Sequence, residues 1–216
     1  AASASWTVNV ANGTYIGDVN MNKDVTLNGQ NRANTILKGL YATGGVATIN
    51  MATNASDGAT VQNLTVSRDF QDWYNSTKNY GILMSGAVNN IALDNILVKD
   101  NRTGVYAENN AQFTLTNSTV EQNRTGVFIT NIVRGLVTNN KIKDNQTHGV
   151  FYNLDDGVSD LSSFEMHDNS ITGNWYSQIL FRGANVLSPA VDFECNWFGN
   201  DAFTINTANT AELGYA

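Results

Sequence analysis

The sequence predicts a single right-handed parallel β-helix, a three-sheet solenoid of about 22 residues per coil. Three observations predict it: a 22-residue repeat, apolar residues alternating with polar ones inside each repeat, and plentiful Asn and Thr where charge is scarce. Asn and Thr are costly in helices and natural in turns and strands, so composition alone already leans all-β.

The repeat is read most easily in Asn95-Ile-Leu-Val-Lys-Asp-Asn101-Arg-Thr-Gly-Val105-Tyr, which returns as Asn117-Ser-Thr-Val-Glu-Gln-Asn123-Arg-Thr-Gly-Val127-Phe. It returns again as Asn139-Asn-Lys-Ile-Lys-Asp-Asn145-Gln-Thr-His-Gly149-Val-Phe, more distantly as Asp168-Asn-Ser-Ile-Thr-Gly-Asn174, and an earlier copy starts at Asn63. The first strand of each copy carries one apolar residue in a fixed place: Val66, Val98, Val120, Ile142 and Ile171. A second column runs through Ile82, Val105, Val127, Val150 and Ile179, and a third through Leu93, Leu115, Val137 and Met166. Three strands this short cannot pair as hairpins but can stack on the next copy, giving three parallel sheets around an apolar interior. A helical solenoid is excluded by the period-two alternation and the β-branched residues.

The corners follow from the same register. Asn63, Asn95, Asn117 and Asn139 mark one corner, and Asn101, Asn123, Asn145 and Asn174 the next. Stacked coils bring these residues above one another, where they adopt turn conformations and their amides bond to the backbone or to the Asn of the next coil, a structural Asn ladder.

One domain is expected over 1–216, with N-terminal coils at 1–60, regular repeats at 61–200 and a C-terminal cap or contact arm at 201–216. Insertions interrupt the repeats at 69–80 and 153–163. The single proline, Pro189, lies inside a patterned stretch, and no linker composition divides the chain.

A formal charge of −7 excludes the basic footprint that nucleic-acid binding requires. No stretch approaches the roughly 18 apolar residues of a membrane-spanning helix. Cys195 is the only cysteine, so no disulfide forms within the chain. The opening Ala1-Ala2-Ser3-Ala4-Ser5 has the small residues found around a signal cleavage site, which points to a secreted or cell-surface protein of bacterial type.

Trp6-Thr-Val-Asn-Val10, Val25-Thr-Leu-Asn-Gly29 and Thr35-Ile-Leu-Lys-Gly39, with the Gly104-Val and Gly126-Val coils and Asn196-Trp-Phe-Gly199, resemble the pectate-lyase-like right-handed β-helix superfamily. The resemblance covers nearly the whole chain. It implies the fold strongly and the function weakly, because lyases, hydrolases, esterases and adhesins share this scaffold.

No residue set reads as catalytic. Polygalacturonase-type members of the superfamily use clustered aspartates with Gly-His-Gly and a basic pair. Asp155-Asp156, Thr147-His148-Gly149 and Lys141-Ile-Lys143 echo these elements in reversed order. A methylesterase needs paired aspartates with an arginine, and a pectate lyase needs a carboxylate cluster for calcium with a base. Asp69, Asp100 and Asp144 could line one corner, but Gln122 and Gly173 interrupt them. His148 and His167 lack metal-ligand spacing, so no metal and no cofactor are expected.

Departures from a repeat are where function is added. The corner that reads Asn-Arg-Thr-Gly in two coils expands earlier to a segment holding Trp73, Tyr74 and Tyr80, and later becomes Asn174-Trp175-Tyr176. Arg102, Arg124 and His148 lie between these ends. Exposed aromatic faces suit sugar rings while Arg, Asn and Thr bond hydroxyls, so these residues form the expected ligand or partner face. The competing assignment has the same aromatics pinning a loop to the side of the solenoid.

The expected function is that of a non-catalytic extracellular structural or adhesive subunit. Its partners are other copies, by head-to-tail or lateral assembly, or surface glycans. The alternative is a polysaccharide-acting lyase, hydrolase or esterase.

Overall fold

The computed structural model describes residues 6–41, 44–69, 79–132, 134–153, 164–182 and 193–199. Strands rotate among three parallel sheets, each seven-stranded among the described residues. The first sheet holds Trp6–Val10, Val25–Gly29, Thr60–Gln62, Ile91–Asp94, Gln112–Thr116, Arg134–Thr138 and Phe164–His167. The second holds Gly13–Ile16, Thr35–Gly39, Thr65–Arg68, Leu97–Lys99, Thr119–Glu121, Lys141–Lys143 and Ser170–Thr172. The third holds Val19–Asn20, Ala47–Met51, Tyr80–Met84, Thr103–Ala107, Thr125–Thr130, His148–Asn153 and Ser177–Arg182. Every strand pairs with the third strand after it, so each coil is one turn of a right-handed parallel β-helix. The insertion at 153–163 beyond Asn153, most of that at 69–80, and the arm at 201–216 lie outside the described residues.

The three apolar columns form the core. Leu93, Leu115, Val137 and Met166 stand in register in the first sheet, and all are fully buried. Val66, Val98, Val120, Ile142 and Ile171 do the same in the second. Ile82, Val105, Val127 and Val150 do so in the third, with Ile179 partly buried at the column's end.

The two corners divide the labour that the sequence assigns to single Asn residues. At the corner between the first and second sheets Asn63, Asn95, Asn117 and Asn139 have φ between 48° and 59°, and Asp168 and Cys195 repeat the conformation at 59° and 58°. Residues in this left-handed conformation turn their side chains outward. Asn95 donates to Asn63 at 2.8 Å, but Asn117 donates to Asp94 and Asn139 to Thr138, so these four do not form one amide ladder. The continuous ladder at this corner runs one residue further along. The backbone N–H of Ser118 donates to Asn140 Oδ1, that of Asn140 to Asn169 Oδ1 and that of Asn169 to Asn196 Oδ1, at 2.9–3.0 Å.

At the corner between the second and third sheets the positive φ belongs to Asp100, Gln122, Asp144 and Gly173. The following residues, Asn101, Asn123, Asn145 and Asn174, face inward. Their side-chain amides link at 3.0, 3.2 and 2.8 Å, and each oxygen of the last three also takes the preceding Asn backbone N–H at 3.1 Å. The strands that follow pass so close that a Cβ on Gly104 or Gly126 would sit 2.7 or 2.5 Å from the next coil's backbone oxygen. The Gly in Asn-Arg-Thr-Gly is therefore a requirement of coil spacing.

Candidate functional site

The third sheet leaves the ladder corner with its outward side chains in register. Leu83, Tyr106, Phe128, Phe151 and Leu180 form one outward column across five coils. A groove of about 450 Å³ opens along this face. Four steps of strand spacing give it a length of about 19 Å.

Its aromatic wall is a stack. Tyr80 and Tyr106 lie 4.5 Å apart at 20°, and Tyr106 and Phe128 4.8 Å apart at 12°. Phe128 then meets Phe151 edge-on at 4.6 Å, and His148 tilts against Phe151 at 5.4 Å and Tyr176 at 6.0 Å. The ring faces of Tyr80, Tyr106 and Phe128 are thus spent on one another, and the wall presents edges to the groove. The sequence expects open aromatic faces here, and the coil spacing is what closes them: Tyr106 and Phe128, identical positions one coil apart, are at stacking distance, and Tyr80, in register with Thr103, reaches across to Tyr106.

The groove is also lined by cations. Arg102 and Arg124 enter it ahead of the aromatic column and Arg182 after it, Thr103, Thr125 and Thr147 also line it, and no described lining residue carries a carboxylate. The backbone fixes the two corner arginines: Thr125 N–H donates to the Arg102 carbonyl at 3.0 Å and Thr147 N–H to the Arg124 carbonyl at 2.7 Å. The Thr125 and Thr147 hydroxyls meet at 3.0 Å.

The column that begins Arg102, Arg124 continues as Gln146 and Trp175, each of the last three donating its N–H to the Asn of the coil before. Where Gln146 replaces arginine, one residue is inserted, so that Val127 pairs with Val150 instead of the residue 22 positions on. The inserted residue is His148, the first of its strand, which enters the groove with Nδ1 2.8 Å from Ser177 Oγ.

The Tyr80 and Tyr106 phenols stay neutral. Burial, reinforced by the negative charge of Glu108 and opposed by Arg102, pushes the Tyr80 pKa up to about 12. Burial first, and then the Glu108 charge and hydrogen bond, raise that of Tyr106 as well.

Five of the sequence-expected face residues, Tyr80, Arg102, Arg124, His148 and Tyr176, are therefore brought to one groove. Trp175, 67% exposed, does not line it and stacks on Tyr176 at 4.5 Å. Trp73 and Tyr74 lie outside the described residues, as do Asp155 and Asp156. Lys141 and Lys143 belong to the second sheet, where Lys143 pairs with Glu121 at 3.1 Å and Asp144 at 3.0 Å. Sequence reasoning missed Tyr106, Phe128, Phe151 and Arg182 as groove residues. The signal for the first three was present: each aromatic directly follows the inward-facing Val of its coil.

A family model described as "Right handed beta helix region" matches residues 25–198. No curated protein sequence matches the chain. Among solved structures, the chain is similar to a pectin methylesterase from Yersinia enterocolitica, with a TM-score of 0.55 at 14% identity over 90% of this chain and 77% of that one. It is also similar to the pectin methylesterase PemA from Erwinia chrysanthemi, with a TM-score of 0.52 at 12% identity over 94% of this chain and 83% of that one. At these identities the likeness is one of fold.

Proposed function

The chain belongs to the right-handed β-helix family, and we propose from that premise that it holds an acidic polysaccharide outside the cell, in the groove of its third sheet. The observation that carries this reading is a local reversal of charge. A protein of net charge −7 gathers three arginines among the described lining residues of its groove, and the one carboxylate that reaches a lining residue, Glu108, is hydrogen-bonded to the Tyr106 phenol. Such a concentration of one sign attracts ligands of the other. Neutral Tyr and Thr hydroxyls beside the arginines suit sugar hydroxyls, and guanidinium groups pair bidentately with carboxylates. The length of the groove suits an extended polymer better than a small anion.

The two solved structures of similar fold are by name enzymes acting on pectin, a polysaccharide. They support a polysaccharide-acting protein more than the structural or adhesive subunit that the sequence suggests. Self-assembly gains no support from them, and secretion fits such a ligand.

One observation favours a catalytic version of this reading. His148 and Tyr176 lie 6.0 Å apart between ring centroids, in a groove lined by arginines. An arginine that neutralises a uronate carboxylate acidifies the adjacent C–H. An imidazole can take that proton while a phenol protonates the departing glycosidic oxygen, which is β-elimination rather than hydrolysis by paired carboxylates.

Isothermal titration with polygalacturonate and alginate oligosaccharides, and with a neutral glucan as control, tests the binding. Retention of the acidic glycans alone is expected, with Arg102→Gln and Arg124→Gln each weakening it about tenfold. Equal affinity for the neutral glucan, or no binding at all, would overturn the proposal. Ultraviolet absorbance of unsaturated products during incubation tests the elimination step separately.

A further inference from the structure

We infer that His148 makes the grip on an acidic glycan tighten as pH falls, an inference that rests on the acidic-glycan reading above. The starting point is the irregularity in the repeat. Two successive coils supply arginine at the groove's corner, Arg102 and Arg124, and the third supplies Gln146. That coil also carries the one-residue insertion, and the insertion sets an imidazole in the groove. A fixed charge is thus followed, one coil on, by a titratable one.

The groups around His148 give the sign of the effect. From the preceding coil Arg124 and Phe128 line the same groove, with Arg102 one coil further back. Its own strand contributes Phe151, and the following coil contributes Tyr176, Arg182 and the Ser177 hydroxyl bonded to Nδ1. The charged groups among the described lining residues are all arginines, which oppose a further positive charge. A bound carboxylate supports it. Proton uptake and acidic-glycan binding are therefore linked, and each must favour the other.

The linkage falls in a clear window. Histidine is the side chain whose ordinary titration lies between about pH 5 and pH 8, while carboxylates of the ligand stay ionised through that range. The chain has two histidines. The second, His167, belongs to the first sheet, with Nδ1 2.7 Å from the Asp168 carboxylate.

The experiment is titration of the full chain with a galacturonic acid oligosaccharide across about pH 8 to pH 5, with circular dichroism confirming the fold at each pH. Affinity is expected to rise about twofold to fivefold on acidification, the range of one solvated ion pair. His148→Arg, which puts a fixed positive charge at the inserted position, is expected to remove the slope and hold the affinity high throughout. His148→Gln is expected to remove the slope without that gain, and His167→Gln to leave the slope in place. Clear binding with no pH dependence, or a slope that survives both His148 variants, overturns the inference while leaving the acidic-glycan reading intact. Absence of binding at every pH overturns both.

Discussion

Asn123 and Asn101 are equally buried, each with no exposed surface, yet alanine at the two positions should differ sharply in cost. Asn123 Oδ1 is the acceptor for the Asn101 backbone N–H at 3.1 Å and for its side-chain amide at 3.0 Å. The Asn123 amide donates to the carbonyls of Val98 and Glu121 and to Asn145 Oδ1, at 3.0–3.2 Å. Asn123→Ala strands a buried N–H, at about 1–3 kcal/mol, and removes further bonds worth about 1 kcal/mol each. The small cavity adds to this, and a total of about 3–5 kcal/mol follows. Asn101 sits at the ladder's end: its amide donates to Lys99 and Asn123, but its buried Oδ1 has no partner among the described residues. Asn101→Ala removes an unsatisfied acceptor along with its two bonds, and should cost about 1–2 kcal/mol. Urea unfolding followed by circular dichroism measures both, with hydrogen exchange separating local from global opening. Equal costs within about 0.5 kcal/mol would show that burial, and not direction along the ladder, sets the energy.

Cys195 occupies the left-handed corner position that Asn holds in four other coils, with φ of 58°. Cys195→Asn should raise stability by about 0.5 kcal/mol, read as a higher urea midpoint, because Asn tolerates this conformation better. Tyr80 gives a pH prediction. Its folded-state pKa of about 12 lies above the ordinary phenol value of 10.0, so the unfolded chain loses the proton first. Stability contributed by the neutral phenol is intact below pH 10, falls as pH rises from 10 towards about 12, and amounts to on the order of 2 kcal/mol. Tyr80→Phe should flatten that part of the alkaline unfolding profile.

The fold was legible because a solenoid writes its register into the chain as a constant spacing. Val98, Val120 and Ile142 are inward in every coil, and no long-range pairing had to be guessed. The corner ladder of Asn101, Asn123, Asn145 and Asn174 was legible for the same reason. Its counterpart through Ser118, Asn140, Asn169 and Asn196 was masked by the more regular Asn column one residue earlier, whose conformation matters more than its hydrogen bonds. The groove was half legible. Arg102 and Arg124 stood out as a motif, whereas Tyr106, Phe128 and Phe151 each read as an ordinary strand residue after a core Val. Arg182 has no repeat partner to mark it.

The aromatic stack changes what the groove can recognise. An aromatic ring is negative over its face and positive along its edge. Had Tyr106 and Phe128 lain flat on the sheet, their faces would favour cations and the apolar faces of neutral sugars. Stacked 4.8 Å apart, they hide those faces and turn their positive edges to the groove. The ring edges and the arginines then act with the same sign, while Glu108 is held by the Tyr106 phenol. The coil spacing that builds the stack also places Arg102 and Arg124 one coil apart, so the anion-attracting surface repeats along the axis with the fold itself. A polymer bearing negative charge at regular intervals matches that repetition, which a single small anion cannot use.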